Sequence, residues 1–116
     1  MKLKAVLIPV PELDPAIALL QNELGLALKF RDGQRYAAFE TVPMNLTLAS
    51  EQERIVQRPA LVIEVVDDIH NLVERLVNAG VALRHPLEQG PHEWRAVLEP
   101  AQSCFQLVIS QKLQGA

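Results

Sequence analysis

The chain has 116 residues, 49% of them apolar and 22% charged, with a formal net charge of -3 at pH 7. Those numbers allow one compact core and argue against disorder, and the eleven Lys and Arg are scattered along the chain rather than striped, which leaves no basic footprint for nucleic acid. The only cysteine is Cys104, which excludes an internal disulfide and an intrachain thiolate metal cluster.

In chain order, residues 5–10 read as an apolar strand. Pro9, Pro11, Glu12 and Asp14 cut this run far short of a signal-peptide core or a membrane span, so the expectation is a cytoplasmic protein that does not engage a membrane. Asp14 followed by Pro15 predicts a capped helix over 14–24, with Ile17, Leu20 and Leu24 on its apolar side and Gly25 behind its end. Three strands follow at 27–31, 35–40 and 44–49, separated by an Asp32-Gly33 hairpin turn and a corner at Val42-Pro43. Residues 50–57 form a polar link, and Arg58-Pro59 holds the chain extended into the next strand.

That next strand, 61–66, is an almost unbroken aliphatic run ended by Asp67 and Asp68. Asp68 is placed to cap a second helix near 68–79, whose stripe is Ile69, Leu72, Val73, Leu76 and Val77 and whose stop is Gly80. Strands at 82–85, 94–99 and 104–110 complete the chain, with 85–93 as its longest loop. Gly25 and Gly80 lie 55 positions apart, as do Ala5 and Ala60. The chain is therefore one unit written twice: strand, helix and three strands. The expected organisation is a single α+β domain over 1–116, with module 1 at about 1–50, a linker at 51–57 and module 2 at about 58–111.

The quoted order resembles the vicinal oxygen chelate superfamily, the group of glyoxalases, bleomycin-resistance proteins and extradiol dioxygenases. The resemblance is carried by VPELDPAIALLQNELGL, by VVDDIHNLVERLVNAGV, and by LEPAQSCFQLVI in place of the family's usual DPDGN turn and strand. It implies two βαβββ modules forming concave mixed sheets with the helices outside, generally in a homodimer whose cavities lie within the curve. A ferredoxin-like α+β domain is the alternative fold. Enzymes of the family hold a divalent metal at four strand positions, which fall here on Ala5, Asn45, Ala60 and Gln106. Two methyl groups and two neutral amides are a poor donor set for Fe, Ni or Zn, and His70, His85 and His92 lie too far apart in the chain to replace them. No metal or other cofactor is expected.

Strand alternation assigns the faces. Leu61, Ile63 and Val65 face the helices, as do Phe39 and Leu98. Ala60, Val62 and Glu64 then face the concave side, together with Leu7, Tyr36, Ala38, Glu40, Thr47, Arg95, Val97, Cys104 and Val108. The candidate ligand-binding set is Leu7, Tyr36, Asn45, Thr47, Ala60, Val62, Glu64, Arg95 and Gln106. Glu64 is the conspicuous member, because a carboxylate within an apolar run must be solvated, paired, for instance with Arg95, or in contact with a ligand. Two functions fit this wall. The first is metal-free binding of a small organic molecule in the concave cavity of a homodimer. The second is a lyase, isomerase or oxygenase with a rebuilt metal site or with Glu64 as general base. A purely structural or regulatory dimer is the third reading.

Overall fold

The computed structural model describes residues 1–53 and 55–114. The two modules are present, and their strands join in one eight-stranded sheet rather than two, in the order β2-β3-β4-β1-β5-β8-β7-β6. Module 1 comprises β1 (Lys2–Pro9), α1 (Leu13–Ile17) with a π-helical continuation (Ala18–Glu23), β2 (Ala27–Asp32), β3 (Tyr36–Glu40) and β4 (Asn45–Ala49). Module 2 comprises β5 (Ala60–Glu64), α2 (Ile69–Asn78), β6 (Ala82–Gln89), β7 (Glu93–Glu99) and β8 (Gln106–Lys112).

The internal repeat becomes a pseudo-twofold arrangement. In each module the first strand pairs in parallel with the last, Ala5 opposite Asn45 and Ala60 opposite Gln106. The modules meet where β1 and β5 pair antiparallel, Ala5 opposite Val62 and Leu7 opposite Ala60. The third strands carry matching sequences, YAAFE and RAVLE, in matching positions. Tyr36 lies opposite Ala49 as Arg95 lies opposite Ser110, so Tyr36 and Arg95 are equivalents in the two halves.

Alternation along these strands separates two outer cores from one inner core. Under α1, Leu13, Ile17, Ala37, Phe39 and Leu48 are buried together. Under α2 the set is Val65, Ile69, Val73, Ala96, Leu98 and Ile109. On the concave face Leu7, Ala49, Val56, Ala60, Val97 and Val108 form the third cluster. Trp94 packs on the helix side, edge-on to His70 of α2 at 4.6 Å between ring centroids.

Several local expectations are corrected. Asp14 does not cap the first helix: the helix begins at Leu13 with Glu12 at the N-cap, and Asp14 pairs with Arg31 at 2.5 Å. Its second half winds as a π-helix, with Leu24 N donating to Leu19 O, which turns Leu24 off the apolar stripe and leaves it exposed. Asp68 does precede α2, but it sits in the left-handed region at φ 59° and its side chain makes no capping bond. Gln111 of β8 supplies that acceptor instead, Ile69 N donating to its Oε1 at 2.8 Å. The expected loop at 85–93 is mostly strand, since β6 runs on to Gln89 through register shifts around Pro86. Cys104 lies in an exposed bend before β8, not on the concave wall.

Candidate functional site

The concave face holds a cavity of about 290 Å³ over the junction of the modules. Its floor is Ala5 and Leu7 from β1, Val62 from β5 and Val108 from β8, which follows from their register across the three central strands. Module 1 contributes Tyr36, Thr47 and the exposed Asp32, while module 2 contributes Glu93 and Arg95. Lys4 and the linker residues Glu53 and Ile55 complete the lining. A second groove of about 280 Å³ shares Glu53, Glu93 and Arg95 with the cavity and continues past Gly90, Pro91 and His92. A larger cleft, about 450 Å³, lies between the start of α1 and residues 50–52, but its lining is mostly polar, with Glu12, Asp14, Gln34, Ser50, Glu51 and Gln52. It lacks the apolar floor that a small organic ligand needs.

Of the nine candidate residues, the cavity brings together Leu7, Tyr36, Thr47, Val62 and Arg95. Asn45, Ala60, Glu64 and Gln106 are not among its lining. Glu64 is paired with neither Arg95 nor the cavity: its carboxylate lies 3.7 Å from Lys4 Nζ, at the far end of β5. Ala60 is 1% exposed beneath the linker. Gln106 is fully engaged, accepting from Gln57 N at 2.7 Å and donating to Glu99 Oε1 at 3.1 Å.

The linker is the part that sequence reasoning missed. Residues 50–57 read as polar, yet Ser50 is buried and Val56 is fully buried within the concave cluster. Ser50 Oγ donates to Gln34 O, and Glu53 pairs with Arg35. Beyond Val56, Arg58 donates to Ser103 O at 2.7 Å and lies near Glu99, which also accepts from Arg84 at 3.1 Å. The described residues of the linker thus cover the concave sheet, Val56 and Gln57 plugging the end that contains Ala60 and Gln106 and Glu53 and Ile55 walling the cavity at the other.

The electrostatics follow from these neighbours. The hydrogen bond from Arg84 holds the Glu99 carboxyl below the usual carboxylate range against the opposing effect of burial, and Arg58 and Gln106 act in the same direction. Burial raises the Tyr36 phenol, and Glu93 across the cavity raises it further, while the side-chain interaction with Thr47 opposes both. Thr47 Oγ1 itself donates to Val6 O at 2.9 Å. Tyr36 also stacks obliquely with Phe30, centroids 6.3 Å apart.

The residues at the four positions where the resemblance places metal ligands do not fit a divalent cation. Ala5 and Ala60 carry no donor atom, and the Gln106 amide is committed to the linker and Glu99. Among the described residues no group of three His, Cys, Asp or Glu side chains is close enough to hold a metal ion. No helix among them is long and apolar enough to cross a membrane.

The architecture is α+β, with the fold of the glyoxalase/bleomycin resistance protein/dioxygenase superfamily. A member of that superfamily from Vibrio splendidus superposes with a TM-score of 0.74, covering 93% of this chain and 97% of its own at 11% identity. An NAD-dependent benzaldehyde dehydrogenase from Legionella pneumophila gives 0.74 over 94% and 98% at 15% identity. A hypothetical protein from Bacillus halodurans gives 0.64 over 99% and 96%, also at 15% identity. No protein-family model matches the chain and no curated protein matches it. At such identities the likeness establishes the fold, and one fold hosts many chemistries, so function is argued from the cavity.

Proposed function

We propose that this protein binds a small, partly apolar organic molecule in the cavity between its modules, and does so without a resident metal. The observation that carries this reading is the cavity itself: an aliphatic floor of Leu7, Val62 and Val108 beneath a few polar groups from Tyr36, Thr47 and Arg95, the composition of a ligand site rather than of a packed core. The reading with Glu64 as general base has less support, because that carboxylate pairs with Lys4 and does not itself line the cavity. The test is a thermal-shift screen of metabolite and drug-like compounds on the wild type and on Val62→Trp, which fills the floor. A compound at about 100 times its dissociation constant stabilises the wild type by roughly 2.7 kcal/mol and leaves the variant unmoved. Hits that raise both melting temperatures alike, or that are consumed with turnover, would overturn passive binding at this place.

We also propose that the protein pairs with a second copy of itself. The support is the exposure of Phe30, a large apolar side chain beside Tyr36 on the concave side, whose burial in an interface is favourable. Sedimentation velocity on a micromolar sample is expected to show a dimer, and a single monomeric species would remove the claim.

A further inference from the structure

The cavity wall contributed by β7 carries two opposite charges that the fold itself does not use. Glu93 and Arg95 are two residues apart on one strand and therefore on one face, and both are half-buried and border the cavity. Neither makes an ion pair among the described residues, with each other or with anything else. Two of the other charges nearby have ion-pair partners, Lys4 with Glu64 and Glu53 with Arg35, while Glu88, which lies opposite Arg95 on β6, is 3.6 Å from His85 Nε2. Asp32 sits exposed at the module 1 rim.

A cation and an anion held half-buried on one cavity wall, without ion-pair partners among the described residues, keep hydrogen-bonding capacity that a ligand of matching charges can complete. The geometry points to a zwitterionic ligand, an amphipathic α-amino acid or a close relative. Its carboxylate meets the Arg95 guanidinium, which presents a planar fork of donors. Its ammonium meets Glu93. Its apolar side chain lies on Leu7, Val62 and Val108, in a volume of about 290 Å³ that suits a molecule of that size. This inference rests on the small-molecule reading above and narrows it to one chemical class.

The test compares three probes by titration calorimetry: L-phenylalanine, 2-phenylethylamine, which lacks the carboxylate, and 3-phenylpropionate, which lacks the ammonium. The wild type is expected to bind L-phenylalanine about tenfold or more tighter than either analogue, since each charged hydrogen-bonding partner restored is worth at least that factor. Glu93→Gln is expected to weaken L-phenylalanine and 2-phenylethylamine while leaving 3-phenylpropionate unchanged, and Arg95→Gln to give the mirror pattern. Both substitutions lie at the cavity border and circular dichroism checks that each variant folds. Analogues that bind as tightly as L-phenylalanine, or variants that weaken all three probes equally, would overturn the zwitterion assignment while the small-molecule reading stands. Absence of binding by all three probes at millimolar concentration would also overturn it, and the broader screen on wild type and Val62→Trp would then judge the parent reading separately.

Discussion

Replacing Val56 with aspartate is expected to cost about 3 kcal/mol of stability, combining the lost burial of a fully enclosed aliphatic side chain with the penalty of placing a carboxylate there. Val56 sits on Leu7, Ala60, Val97 and Val108 with no exposed surface, and the bond from Gln57 N to Gln106 Oε1 prevents the strap from shifting sideways to wet the new group. The chain has two ways to respond. It can bury the charge, which is severe, or release the strap from the sheet, which forfeits the contacts of Val56 and part of those of Ile55. Either route destabilises. Urea unfolding followed by tryptophan fluorescence reads the loss as a lower midpoint. If residues 50–57 were only a solvated link, the substitution would stay within about 0.5 kcal/mol of neutral, the range of ordinary surface changes. A midpoint unchanged from wild type would therefore remove the strap.

Truncating Phe39 to alanine is expected to have the larger effect, about 3–5 kcal/mol, the usual cost of emptying a core position of an aromatic ring. Phe39 has no exposed surface and packs among Leu13, Ile17, Ala37 and Leu48, so the cavity would open directly under α1. That helix has five α-helical residues before its π-helical continuation and no side-chain cap at Glu12, so it has little stability of its own with which to compensate. Thermal unfolding by circular dichroism measures the change. A loss below about 1 kcal/mol would mean that the site collapses around the missing ring and that α1 is held by something other than this core. Leu98 in RAVLE is the equivalent position under α2 and serves as the internal comparison.

Much of this molecule could be read from local pattern. The 55-residue offset between Ala5 and Ala60, and between Gly25 and Gly80, announced two copies of one unit. Period-two alternation sorted the faces of individual strands, which is why Phe39 and Leu98 lie under helices while Tyr36, Val62 and Arg95 lie on the concave side. These inferences hold because a side chain's face depends only on its neighbours two positions away. The candidate site was half legible for the same reason: alternation selected the face that carries the cavity, but it had no means of choosing which part of that face stays open.

Tertiary structure made that choice. A single valine in SEQERIVQ carries no periodicity, so nothing in the stretch distinguishes a strap with one buried anchor from a solvated link. Burial of Val56 and the pairing of Gln57 with Gln106, 49 positions away, decided that Ala60 and Gln106 are covered while Leu7, Tyr36, Thr47, Val62 and Arg95 border a cavity. The partner of Glu64 was likewise settled at a distance, when the antiparallel pairing of β1 with β5 brought Lys4 near it and left Arg95 without an ion-pair partner among the described residues. The cap of α2 came from Gln111, 42 residues further on, and not from the adjacent Asp68. Local composition by itself determined the elements, their repeat and their faces. Which strands meet, what covers the concave sheet and which charges remain unpaired depend on contacts between residues dozens of positions apart, and no short window of sequence contains both partners.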